Sequence, residues 1–165
     1  MAAEGKGADI MLGSALPVFL LCQAAIGCGI AEAAYQAAQK HVTATAFQHT
    51  GTRLMDLPNI RSNLSQMRLE VDRARAYLAA TIDKMETGTE DTMIHVLGIK
   101  ASSGETAVNV CDLAMRTCGG AAFSKHLGLE RIFRDSRAAI VMAPTTDHLR
   151  EFQGRLLVGM PLFDN

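Results

Sequence analysis

The chain has 165 residues, enough for one domain with a sizeable core. Only 5% of its residues are aromatic, tryptophan is absent and 48% are hydrophobic, a balance that suits closely packed helices better than a sheet. The formal net charge of -1 argues against a nucleic-acid surface, because phosphate neutralisation needs a basic excess on at least one face.

Residues 1–9 read as a linker-like start. Ile10 to Ala31 then form an uncharged stretch of 22 residues, long enough to span a bilayer. Gly13, Ser14, Pro17, Gln23, Gly27 and Gly29, the modest hydrophobicity of alanine, and Glu32 at its edge all argue against a membrane span. A signal peptide cleaved near Ala31-Glu32-Ala33 would need a basic start, whereas Glu4 and Asp9 outnumber Lys6. The better reading is the central helix of a bundle, apolar nearly all round. Ser14 is placed to cap it, Pro17 falls in its first turn, and it runs to about His41.

Thr43 to Asn59 breaks the pattern at Thr50-Gly51-Thr52 and Leu57-Pro58, and Asp56 is placed to cap the second long helix. From Ile60 the apolar positions Leu64, Met67, Val71, Ala74, Leu78, Ile82 and Met85 alternate by three and four, the strongest periodic signal in the chain. Arg61, Arg68 and Arg75 lie on another face among Glu70 and Asp72, as on a solvated, salt-bridged surface. Gly88 closes this helix, and Thr89, Glu90 and Asp91 open the next. Met93, Leu97, Ala101, Val108, Cys111, Met115 and Cys118 give that helix its core face, and it runs into Gly119-Gly120. Short helices from Gly128 and from Thr145 complete five or so, with no strand signal and no internal repeat.

The four cysteines, Cys22, Cys28, Cys111 and Cys118, show no Cys-x-x-Cys spacing and no histidine at ligand spacing. Neither a zinc site nor a disulfide framework is expected, and they read as small buried hydrophobes in a reducing, cytoplasmic compartment. His41, His49, His95, His126 and His148 have no paired spacing. Nucleophile-elbow, phosphate-loop and dinucleotide signatures are absent.

The last third carries an ordered set of motifs. Cys118-Gly119-Gly120-Ala121-Ala122-Phe123 is followed by Gly128 to Arg137 with its Arg134-Asp135 pair, then by Ala143-Pro144-Thr145-Thr146-Asp147, and it closes on Gln153-Gly154-Arg155. In this order and spacing the set resembles the C-terminal helical domain of acyl-CoA dehydrogenases. The resemblance covers the whole chain, since Gly5-Lys6-Gly7 looks like the segment that leaves the family's middle β domain. It implies an all-α, up-down four-helix bundle with an additional short C-terminal helix. Members carry an N-terminal helical domain and a β domain before this one, with the flavin between the β domain and the bundle. A chain starting here is then a piece of a longer protein or a stand-alone remnant.

The resemblance implies FAD as cofactor, with Gly119 and Gly120 letting backbone approach a partner subunit's cofactor and Thr145 at the turn near the flavin. Arg134 and Asp135 would anchor the helix before that turn, an ordinary helix-end ion pair being the plainer reading. Arg116 replaces the family's glutamine three residues before the double glycine and still offers a charged donor to a pyrophosphate. The usual catalytic glutamate position is Ala143, and alanine cannot be a base. The alternative glutamate position, within Leu16 to Leu20, holds no carboxylate, and Phe19 stands near where many members have a substrate-binding arginine. The family's pyrophosphate arginine falls in Thr43 to Phe47, where none occurs. Asp147 and Glu151 are the nearest carboxylates, and Asp147 is the weak catalytic candidate; an acid just after a capping threonine also stabilises a helix N-terminus and needs no other role.

The first functional expectation is therefore the flavin-side domain of an acyl-CoA dehydrogenase-like protein that binds part of FAD and makes an oligomer interface. Intact relatives remove the α proton of an acyl-CoA and pass hydride from its β carbon to flavin, which this chain alone is not expected to do. The alternative is a cofactor-free helical assembly module with an inherited fold. Either way a homo-oligomer, dimer or tetramer, is expected, or a separate chain supplying the missing domains, without nucleic acid, metal or membrane.

Overall fold

The computed structural model describes residues 7–163, so Gly5 and Lys6 of the lead-in segment, with Glu4, lie outside the described residues. Every regular element among the described residues is helical, in the order α1 (Leu16–Ala44), α2 (Pro58–Thr87), α3 (Thr92–Cys118), α4 (Leu129–Val141) and α5 (Thr146–Leu157). The bundle of four helices with a short fifth is the all-α architecture expected.

A helical turn at Gly7–Ile10 and a wider π turn at Met11–Ala15 lead into α1 without a break. Gly7 and Asp9 are thus helical rather than linker, and Ser14 lies inside the π turn instead of capping. The wide turn precedes Pro17, whose ring would crowd the carbonyl of Gly13 in a straight α-helix. At the other end α1 runs past His41 to Ala44, where Thr45 Oγ1 donates to the His41 carbonyl at 2.8 Å.

The connection to α2 folds back on itself, pairing Ala46 with Arg53 in an isolated antiparallel bridge. Asp56 does not cap α2 but accepts the Arg53 N–H at 2.8 Å, closing the 3-10 turn Leu54–Asp56. Pro58 at the first helical position removes one of the donors that a cap would serve. The α2 seam holds at Ile60, Met67, Val71 and Ala74, and then departs from expectation: Thr81 is buried while Ile82 is 40% exposed. Leu78 and Ile82 border a shallow groove to which α1 contributes the small residues Ala25, Gly29 and Ala33 together with Cys28, Glu32 and Gln36.

The central helix is α3, not α1. Val96 to Ala101 are buried consecutively, and Ser103, Gly104, Thr106, Ala107, Val110, Cys111, Ala114 and Thr117 continue the burial. Its polar members are accommodated locally, with Ser103 Oγ donating to Lys100 O at 3.2 Å and Thr117 Oγ1 to Leu113 O at 2.7 Å. By contrast α1 buries one face, Leu20, Ala24, Gly27, Ala31, Ala34 and Ala38, and leaves Val18, Phe19 and Ile26 exposed. Gly27 is required where α1 crosses α3, because a Cβ there would stand 2.9 Å from the Ser103 carbonyl oxygen. Met11–Ala44 is long and apolar enough to cross a membrane by length and composition, with 33% of its most apolar window buried; its inner face lies in the bundle core.

Candidate functional site

The site grows out of the turn between α4 and α5. α4 ends at Val141, and the chain passes through Met142, Ala143 and a cis Ala143–Pro144 bond to Thr145, which caps α5 by accepting the His148 N–H on Oγ1 at 3.4 Å. Thr145 therefore occupies the helix-opening position read from the sequence, with Asp147 in the first turn beside it. Ala143 is exposed in this turn and presents only a methyl group.

Lys100 holds the turn from below. Its side chain is 2% exposed in the middle of α3, and Nζ donates to the carbonyls of Met142 at 3.0 Å and Pro144 at 2.7 Å. Burial pushes its pKa down, whereas the two carbonyl dipoles favour the charged form and hold the ammonium in place. Nothing in the sequence singles out Lys100, because a lone lysine in a helix ordinarily points to solvent.

Over the turn opens a cleft of about 560 Å3 lined by Glu105, Asn109, Val141, Thr145, Thr146, Asp147 and Arg150 among others. Arg150 and Glu105 form an ion pair at 2.5 Å across it. Asp147, the other lining carboxylate, is exposed. Thr146 is the unusual member: the residue is 6% exposed, and its hydroxyl oxygen is buried without a hydrogen-bond partner. A buried hydroxyl left unmatched costs about 1–3 kcal/mol, so the group calls for an explanation. Thr145 is legible in the sequence as the cap and Thr146 is not, since a threonine inside a first turn carries no signal of its burial.

Arg116 sits further along α3, and Gly119 and Gly120 follow its end in a 3-10 turn. Arg116 is exposed in the last turn and lines a second groove, about 350 Å3, with Asn63, Gln66, Glu70, Asn109 and Asp112. Asn109 borders both spaces, so one face of α3 runs from the α5 cleft to Arg116 over two helical turns, about 10 Å. Gly119 closes α3 with φ +58°, and neither it nor Gly120 has anything within 4 Å of where a Cβ would stand, leaving bare backbone open to approach.

Two expectations need revision. Arg134 does not pair with Asp135; it pairs with Glu130 one turn earlier, and α4 is tied to α3 by Arg137 to Asp112 at 2.5 Å, with the Arg137 guanidinium also over the Phe133 ring. Residues adjacent in a helix diverge by 100°, while those four apart share a face. Secondly, although Thr43 to Phe47 contains no arginine, the bridge brings Arg53 beside Ala46, half-exposed and loosely paired to Asp56 at 3.8 Å. Among the described residues no group of three histidine, cysteine or acidic side chains is placed to hold a metal ion, and all four cysteines are free, with only Cys22 exposed.

Comparison with known proteins agrees with this geometry. A family model described as "Acyl-CoA dehydrogenase, C-terminal domain" matches residues 5–157. A cyclohex-1-ene-1-carbonyl-CoA dehydrogenase from Geobacter metallireducens is 25% identical over 158 residues, 96% of this chain and 41% of that protein. A glutaryl-coenzyme A dehydrogenase solved with glutaryl-CoA superposes with TM-score 0.88 at 24% identity, over all of this chain and 41% of that one. PigA, solved with FAD and proline, superposes with TM-score 0.85 at 23% identity over 96% of this chain and 40% of that one. The chain thus spans about two fifths of the length of these relatives.

Proposed function

The chain belongs to the acyl-CoA dehydrogenase family, as its C-terminal domain, and on that premise we propose that it binds part of FAD along the α5 cleft and the adjoining face of α3, and contributes an oligomer interface. The observation that carries this reading is the Thr146 hydroxyl, buried and unpartnered where the first turn of α5 opens onto the cleft. Free N–H groups at that helix start, the two threonine hydroxyls and the Asn109 amide supply donors, while Glu105 and Asp147 supply acceptors. Such a mixture suits a segment bearing several hydroxyl groups, such as the ribityl or ribose part of FAD. An anionic pyrophosphate suits Arg116 and the open backbone of Gly119 and Gly120 better, with Arg53 as a second guanidinium.

In relatives the cofactor supplies a hydride acceptor for α,β-dehydrogenation of an acyl-CoA. This chain offers binding rather than proton abstraction, since Ala143 carries no acid and Asp147, the weak candidate, lies exposed at a helix N-terminus that it also stabilises.

The cofactor-free assembly module is favoured by one specific observation, the apolar residues Val18, Phe19 and Ile26 exposed along α1. Absorbance and sizing of the purified chain with and without excess FAD separate the two. A bound yellow cofactor, weakened in Thr146→Val and Arg116→Ala, supports the flavin reading. A colourless oligomer indifferent to FAD, also when mixed with a chain supplying the other domains, overturns it in favour of assembly alone.

A further inference from the structure

We propose that Lys100 is the positioning residue of the α5 cleft: its buried side chain clamps the turn between α4 and α5, and so fixes where the first turn of α5 presents Thr145, Thr146 and its free N–H groups. The ligand-binding consequence rests on the cofactor reading above; the clamp itself rests on geometry alone.

A buried ammonium is costly before compensation, and no ion pair among the described residues neutralises this one. A methionine would fill the same volume without that cost. Lysine at position 100 is therefore explained by what it holds. Met142 is the C-cap of α4, and its carbonyl is one of the acceptors left free at the negative end of that helix. Pro144 has no N–H, and its carbonyl would otherwise face the protein interior unpaired. Lys100 satisfies both, at 3.0 and 2.7 Å, and among the described residues these are the only hydrogen bonds that reach the turn from outside α4 and α5. The rest of α4 is held independently, because Gly104 lets it pack so closely on α3 that a Cβ there would stand 3.0 Å from the Ala139 carbonyl oxygen. What remains for Lys100 to fix is the span from Met142 to Pro144, one residue before the α5 cap and two before the unpartnered Thr146 hydroxyl.

The test is residue-level hydrogen exchange on the full chain, with Lys100→Met and Lys100→Gln, alongside FAD titration. Loss of the clamp is expected to speed exchange of the Leu149 amide, which donates to Thr145 O at 2.9 Å, and of its α5 neighbours by tenfold or more. Core amides of α1 and α2 should stay unchanged, and FAD affinity should fall at least tenfold, with glutamine, a shorter and uncharged donor, in between. Uniform loss of protection over all helices would make Lys100 merely structural and overturn the proposal, as would unchanged α5 exchange in a folded Lys100→Met chain. Should that variant not fold, the unmodified protein decides: slowly exchanging Lys100 ammonium protons coupled through hydrogen bonds to the Met142 and Pro144 carbonyls support the clamp, and a freely exchanging ammonium refutes it. Local loss of α5 protection in a chain that binds no FAD even before mutation would uphold the clamp while removing the cofactor reading.

Discussion

Replacing Thr146 by valine should stabilise the free chain and weaken its hold on FAD, two shifts of opposite sign from one oxygen atom. The hydroxyl is buried with no partner, so folding strips it of water without return, at about 1–3 kcal/mol. Valine keeps the β-branch and nearly the volume, and the change leaves α5's capping bond from Thr145 untouched. We expect a gain near the low end, about 1 kcal/mol, which for a chain of this size raises Tm by about 2–4 °C. A hydrogen bond made by that hydroxyl to the ligand would contribute about 0.5–1.5 kcal/mol, so FAD affinity should fall by roughly two- to twelvefold.

Thermal unfolding of both proteins without ligand, followed by FAD titration, reads both shifts. Thr145→Val serves as the contrast: it removes the cap, should cost about 0.5–2 kcal/mol and should lower Tm. A Thr146→Val protein that melts below the wild type would refute the reasoning, since the hydroxyl would then be satisfied in the folded chain. A higher Tm with unchanged FAD affinity would leave it a packing defect with no ligand role.

Gly27→Ala and Gly29→Ala, two residues apart on α1, should move the urea midpoint in opposite directions: overpacking against Ser103 costs about 1–3 kcal/mol, while the open side of Gly29 gains about 1 kcal/mol of helix propensity, and equal shifts would contradict the close crossing. Arg116→Ala should leave stability within about 0.5 kcal/mol, because the side chain is exposed, yet reduce FAD affinity by about tenfold or more in equilibrium titration. At pH 8 a thiol reagent should modify Cys22 rapidly and Cys111 and Cys118 only as fast as the chain opens, because burial pushes both of those thiols up to about 11. Since the folded thiols keep their protons longer than unfolded ones, their contribution to stability is complete below about pH 8.5 and is lost as pH rises toward 11, a slope that Cys118→Ala should reduce in pH-dependent urea melts.

Helix number, the order of motifs and those helix ends that glycine or a threonine cap marks are legible because each rests on local chemistry, whereas Ser14 and Asp56, read as caps, serve other turns. Gly88 ends α2 in the left-handed conformation that glycine tolerates, Gly119 closes α3 at positive φ, and Thr145 caps α5. Which helix lies at the centre cannot be read locally. An uninterrupted apolar run makes α1 look central, yet α3 holds that place while carrying Lys100, Ser103, Thr106 and Thr117. The Ser103 and Thr117 hydroxyls return to the helix's own carbonyls and the Lys100 charge is met by another segment's, and such satisfaction is invisible in composition. The same reason hides Arg53: the bridge to Ala46 brings it beside the stretch 43–47, which has no arginine of its own.

Ala143 acquires its meaning from this arrangement. The turn that holds it is fixed on both sides, by Lys100 on the carbonyls of Met142 and Pro144 and by the Thr145 cap, although Ala143 itself contributes only an exposed methyl group. A mere connector between two helices would not require a buried ammonium, whose burial opposes folding. The atoms that position the turn and open the cleft are separate from any carboxylate at position 143. With alanine at position 143 the donors of Thr145, Thr146 and the start of α5 are still held in place. On the cofactor reading proposed above, that separation lets cofactor contacts persist without proton abstraction, and it makes Lys100, Asn109, Arg116, Thr145 and Thr146 the residues on which that reading is tested.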